Sequence, residues 1–173
     1  MEKNKTCNRP WRYSLAMFGL SIAGYMYVTY GTFFYTETIG LSMKPDCDRL
    51  VGVEVVPQAV EGARATAARL GVDAEFWCMD AGQAAARLAA QGLRPDVIVV
   101  DPPRKGCDAA TLHALVEMSP RTIVMVSCNA ATAARDARFL AEQGYALGPV
   151  QPVDLFPRTK HVETVVLMSR VKG

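Results

Sequence analysis

From residue 50 onward the chain alternates short apolar runs with amphipathic stretches, and few folds accept that pattern. Leu50-Val-Gly-Val-Glu-Val-Val is apolar except at Gly52 and Glu54. Pro57 suits a first helical position, and Gln58 to Leu70 reads as an amphipathic helix closed by Gly71. Ala74 to Met79 is a second extended run, followed by an alanine-rich helix over 81–91 and the breakers Gly92 and Pro95. Val97 to Val100 forms a third run, ending at Asp101. A helix over about 108–118, a strand over Thr122–Ser127, a helix over about 130–143 and extended runs near 145–153 and 162–169 complete the series. Strands alternating with helices predict an α/β fold built on a parallel, doubly wound sheet. Ligands of such sheets bind beyond the carboxyl ends of the strands, so chemistry is expected there.

The first 49 residues do not share the pattern. Nine of the fourteen aromatic residues fall between Trp11 and Tyr35, whereas 22 of the 24 alanines follow residue 50. Residues 1–49 hold 6 Lys/Arg against 4 Asp/Glu and so carry the whole net charge of +2; the remainder is neutral, with 13 of each. No strongly basic body marks the chain for nucleic acid. Residues 14–36 contain no charge and follow Lys3, Lys5, Arg9 and Arg12, flanks and length that suit a membrane segment. The β-branched and aromatic stretch from Tyr27 to Tyr35 suits a buried strand equally, and the strand reading is preferred. Five cysteines without a C-x-x-C pair argue against a zinc or iron–sulfur site and fit a reducing compartment.

Polar residues cluster at the expected strand ends. Glu54 is an acid in an apolar run, where burial costs several kcal/mol unless the carboxylate is paired, so a ligand with donors or a local cap is implied. Asp80 stands directly before a helix, the place of a capping residue or a ligand contact. Asp101-Pro-Pro-Arg-Lys-Gly106 sets an acid and two bases around a proline pair that stiffens the backbone just after a strand. Cys128, in Ser127-Cys-Asn129, lies where a helix begins, and helix amino termini favour nearby thiolates. His161 and Glu163 fall on one side of an incipient strand, where either is a candidate general base.

Together these motifs resemble the catalytic domain of the RNA uracil-5-methyltransferases, which make 5-methyluridine in tRNA or ribosomal RNA. The resemblance rests on Gly52-Val-Glu54 with Val56-Pro-Gln-Ala-Val60, on Asp101-Pro-Pro-Arg-Lys-Gly106, on Ser127-Cys-Asn129 with Thr132, and on Asp154-Leu-Phe-Pro-Arg-Thr-Lys-His-Val-Glu163. It implies a Rossmann-like class I methyltransferase sheet, mostly parallel with an antiparallel C-terminal strand. It also implies S-adenosylmethionine as cofactor, RNA as partner and a cytoplasmic location, with no obligate protein partner. Cys128 would add to carbon 6 of uracil, and Glu163 would remove the carbon-5 proton. Glu54 would hold the cofactor ribose, Asp80 would approach the adenine, and Asp101 would lie against cofactor and target base. Arg104, Lys105, Arg158 and Lys160 would meet phosphate or the extruded nucleotide. No metal and no iron–sulfur cluster are expected. Adenine amino-methyltransferases share the Asp-Pro-Pro idea but need neither Cys128 nor Glu163.

Departures from the family pattern set a second expectation. Of the glycine-rich turn after the first strand only Thr38-Ile39-Gly40-Leu41 survives, with Glu37 and Tyr35 at glycine positions. Both should hinder close approach of the cofactor. Arg158 replaces a smaller or amide-bearing residue, and Ala130 stands where proline often follows Ser-Cys-Asn. The expected organisation is an atypical leader over 1–37 and an incomplete methyltransferase domain over 38–173. The alternative is a truncated, catalytically impaired homologue, anchored to a membrane through 14–36.

Overall fold

The computed structural model describes residues 13–18, 49–154, 158–159 and 162–171. In chain order the elements are β1 (Tyr13–Phe18), β2 (Arg49–Glu54), α1 (Pro57–Leu70), β3 (Glu75–Cys78), α2 (Ala81–Ala90), β4 (Val97–Asp101), α3 (Ala109–Met118), β5 (Thr122–Ser127), α4 (Ala130–Glu142), β6 (Tyr145–Val153) and β7 (Glu163–Arg170). They form one seven-stranded sheet ordered β3-β2-β1-β4-β5-β7-β6. β1, β2, β3, β4 and β5 run parallel, and β7 enters antiparallel between β5 and β6. The α/β class, the parallel body and the antiparallel strand near the carboxyl terminus agree with the sequence reading.

Local signals account for the helix boundaries. α1 starts with Pro57, whose missing amide hydrogen is no loss in a first turn, and ends at Gly71 with φ of 65°, the left-handed cap that glycine adopts without strain. Asp80 caps α2, and Asp108 caps α3 by accepting from the Thr111 amide at 2.8 Å. The central strand is the exception. β1 occupies Tyr13–Phe18, within the segment expected to be a leader, and pairs with both β2 and β4. Its six residues include no β-branched residue, whereas the more β-prone Tyr27–Tyr35 run drew the expectation and lies outside the described residues. Residues 14–18 of the supposed membrane segment are therefore sheet, and among the described residues no helix is long and apolar enough to cross a membrane.

The strand order dictates where the helices go. β2 to β3 steps toward one edge, and β4 to β5 steps toward the other. Right-handed crossovers then put α1 and α3 on opposite faces. Residues of α2, α3 and α4 join one core with the inner side chains of the sheet, in which Ile98, Leu115, Ile123, Met125, Leu140 and Met168 are fully buried. On the other face Val97, Val124, Val126 and Val165 pack together. The outer strand β6 is exposed along nearly its whole length and is anchored where the Tyr145 hydroxyl donates to the Pro120 carbonyl at 2.9 Å. Its pairing shifts register between Leu147 and Val150, at Gly148 and Pro149.

Truncating Leu115 to alanine should cost about 2–5 kcal/mol, because it leaves a cavity between helix and sheet. Leu70→Ala, at a half-exposed helix end, should cost under about 0.5 kcal/mol. Urea midpoints of both variants measure the contrast.

Candidate active site

Register alone gathers the acids. Gly52 and Val99 both pair with Ala16, Val99 pairs with Val124, and Val124 pairs with Leu167. Side chains alternate along a strand, so counting by twos puts Glu54, Asp101 and Glu163 on one face. All three lie at the same end of the sheet, where β2 and β4 stop and antiparallel β7 starts. Ser127 pairs with Thr164, and the next step of that register sets Cys128 opposite Glu163.

Each group has a distinct environment. Glu54 is 8% exposed; its Oε1 accepts from the amides of Val55 at 2.7 Å and Val56 at 3.0 Å. Its Oε2 is buried with no hydrogen-bond partner among the described residues. A buried carboxylate oxygen left bare is costly, and a ligand hydroxyl would satisfy it. Those residues fit a ribose. Asp80 caps α2: Oδ1 accepts from the Gln83 amide at 2.8 Å, and the Gln83 side chain accepts from the Asp80 amide at 3.1 Å. Burial, reinforced by the charge of Glu163, pushes the Asp101 carboxyl up to about 7. Glu163 is itself 2% exposed.

Cys128 is held at the tip of a bend. The buried Ser127 hydroxyl donates to the Asn129 carbonyl and accepts from its amide, both at 3.2 Å. Asn129 caps α4 by accepting from the Ala131 amide at 3.1 Å and donates through Nδ2 to the Arg104 carbonyl at 3.1 Å. The thiol is half-buried and lines a cleft of about 600 Å³ together with Arg104, Asn129, Ala130, Pro152, Val162 and Thr164. Cys107, one residue beyond the Asp101–Gly106 loop, is its opposite: burial and the neighbouring Asp136 carboxylate push that thiol up to about 12. A thiol so held is a packing group. Arg104 and Lys105 are exposed beside the cleft, and Arg158 is exposed on the segment before β7. Lys160 and His161 lie outside the described residues, as do Tyr35, Glu37 and the Thr38–Leu41 turn.

Residues 83–171, about half of the chain, match the family described as tRNA (uracil-5-)-methyltransferase. The chain belongs to that family. A Clostridium acetobutylicum protein named as an RNA methyltransferase is 44% identical over 145 residues, which are 83% of this chain and 32% of the relative. A Staphylococcus aureus protein of the same description is 46% identical over 143 residues, 82% of this chain and 31% of its own length. The chain thus spans about a third of the curated relatives it matches. Among solved structures, the Pyrococcus abyssi tRNA (uracil-54, C5)-methyltransferase in complex with S-adenosyl-L-homocysteine superposes with a TM-score of 0.63 at 29% identity, covering 91% of this chain and 34% of that one. NSun6 from Pyrococcus horikoshii reaches a TM-score of 0.64 at 15% identity, over 93% of this chain and 48% of that one, a likeness of fold alone.

The site also holds residues that sequence reasoning passed over. Asp136 is fully buried, and Oδ2 accepts from the Cys107 amide at 2.7 Å. Arg135 donates to Asp136 and to the carbonyls of Lys105 and Cys107. The one sequence signal was an acid on the otherwise alanine-rich face of α4. Arg158 has φ of 68°, a left-handed conformation that asparagine and glycine tolerate better.

Two outcomes follow from this geometry. Arg158→Asn should stabilise the protein by roughly 0.5–1 kcal/mol in urea melts, by easing backbone strain. For Asp101, folded and unfolded forms are both protonated below about pH 4; as pH rises toward about 7 the unfolded carboxyl ionises while the folded one resists. The stability gain of Asp101→Asn should therefore be near zero at about pH 4, grow up to about pH 7 and then level off. A gain that is flat across the series would contradict the assignment of the raised carboxyl.

Proposed function

We propose that the chain carries the chemistry of an S-adenosylmethionine-dependent RNA methyltransferase acting on carbon 5 of a uridine. The carrying observation is that Cys128, Glu163 and Asp101 converge at neighbouring ends of β5, β7 and β4, with Cys128 on a cleft it shares with Arg104. An aromatic carbon such as uracil C5 is a poor nucleophile. Addition of the Cys128 thiolate to C6 breaks the 5,6-double bond and makes C5 enolate-like, so one hard step becomes two easier ones. When bound, S-adenosylmethionine supplies the electrophilic methyl group. Glu163 then takes the proton from C5, the double bond re-forms, and the Cys128 sulfur leaves from C6.

The remaining residues bind and orient. Glu54 is suited to the cofactor ribose through its bare Oε2. Asp101 lies against cofactor and target base; with its carboxyl near 7 it can hold a proton and donate to the base at neutral pH. Asp80 approaches the adenine with the part of its carboxylate that the helix cap leaves open. A stacked uridine must be extruded at a cost of a few kcal/mol, which contacts of Arg104, Lys105, Arg158 and Lys160 with phosphate or the flipped nucleotide offset. These local bases let a neutral domain engage tRNA or ribosomal RNA.

The test is trapping on 5-fluorouridine RNA, whose C5 fluorine cannot be removed as a proton. With S-adenosylmethionine present, the full chain should form an adduct that survives denaturation, Cys128→Ala should form none, and Cys78→Ala should behave as the parent. An adduct that persists in Cys128→Ala would sink the nucleophile assignment. Glu54→Gln should weaken cofactor binding about ten- to a hundredfold by titration, the worth of a hydrogen bond to a charged group. No saturable binding at millimolar cofactor would leave a folded, inactive homologue as the better reading.

A further inference from the structure

The loop after β4 and the start of α4 are joined by more than contact. Gly106 has φ of 80°, and a Cβ there would fall 2.6 Å from Asp136 Oδ2 and against the Arg135 guanidinium. The backbone therefore touches α4 as closely as a chain can, which only glycine permits. Asp136, at 0% exposure, accepts from the Cys107 amide at 2.7 Å, and Arg135 Nε donates to its other oxygen at 2.8 Å. The far end of the same guanidinium donates to the carbonyls of Lys105 at 3.1 Å and Cys107 at 3.0 Å. One step nearer the cleft, the Arg104 carbonyl accepts from Asn129 Nδ2 at 3.1 Å and Thr132 Oγ1 at 3.4 Å. Asn129 is in turn tied to Ser127, so the two residues that flank Cys128 are held by each other and by this loop.

We propose that Arg135, backed by the buried Asp136 carboxylate, is a positioning residue: it locks residues 104–107 onto the start of α4 and so fixes the Cys128 thiol relative to Arg104 across the cleft. The proposal rests on the reading of Cys128 as nucleophile. An ordinary ion pair would need one donor pair and one acceptor. Here a planar fork spans a carboxylate and two carbonyls at once, a geometry that lysine's single ammonium does not reproduce. The parts that must keep a common geometry belong to two elements, the β4 loop and the β5–α4 bend. No backbone hydrogen bond between those segments is needed when side chains of α4 supply the bridge.

Arg135→Lys and Arg135→Gln test this in the full chain. Because the Arg135 side chain is 56% exposed, both variants should fold. Three quantities are read together: hydrogen exchange of the amides over 104–107, the alkylation rate of Cys128 relative to exposed Cys78, and the rate of adduct formation on 5-fluorouridine RNA alongside cofactor affinity. Cys107, with its thiol pushed up to about 12, does not compete for the alkylating agent. Exchange at Gly106 and Cys107 should accelerate about tenfold. The Cys128-to-Cys78 labelling ratio should change at least about threefold. Adduct formation should slow about tenfold with cofactor affinity unchanged. Faster exchange with an unchanged labelling ratio and adduct rate would overturn the positioning role and leave a purely structural clamp. Unchanged exchange would overturn the clamp itself. Should the parent chain form no adduct, the nucleophile reading fails, and exchange with the labelling ratio still decides whether the loop governs Cys128.

Discussion

Pairing between strands is the constraint from which the site follows. Side chains alternate with period two, so a strand displaced by one residue against its neighbour would turn every second group to the opposite face. In the observed register Glu54, Asp101 and Glu163 share a face and an end, although 47 residues separate the first two and 62 the last two in sequence. The register is in turn fixed by burial. Ile98, Ile123, Met125 and Met168 fill one core, and Val97, Val124 and Val165 fill the other. A slip that moved the acids would also expose these residues to water.

That arrangement concentrates negative charge against an apolar surface. Asp101 and Glu163 stand at the end of a face where valines of β4, β5 and β7 exclude water, and burial with the charge of Glu163 raises the Asp101 carboxyl. Two backbone amides offset one oxygen of Glu54 and none offsets the other. The balance is unfavourable for an empty fold and favourable for one that receives hydroxyls and amide hydrogens from ligands. Ligand binding and stability are thus coupled at the same atoms.

Much of this was legible because the signals were local. Pro57 and Gly71 bound α1 as their backbone preferences require, and the Asp101-Pro-Pro run marked a strand end by its stiffness. The resemblance to uracil-5-methyltransferases was carried by the same short motifs, and the match over residues 83–171 agrees with it. What escaped was non-local. Tyr13–Phe18 has little to distinguish it from a flank, and only pairing with β2 and β4 makes it the middle of the sheet. Asp136 lies on the alanine-rich face of α4, but its partner, the Cys107 amide, is 29 residues away in sequence. Asp80 carried two readings, and the capping box with Gln83 realises the structural one.

The outer strand carries a consequence for the molecule's life in a crowded solution. Among the described residues β6 is the outer strand of the sheet, and its own Leu147 and Val150 are half exposed. A flat margin of that kind recruits foreign strands and seeds aggregates. Pro149 and Pro152 bring no amide hydrogen to any such pairing, and the irregularity at Gly148 breaks the repeat that an incoming strand would have to match. Two prolines and a broken register thus make this margin a poor template for a foreign strand even where its apolar side chains face solvent.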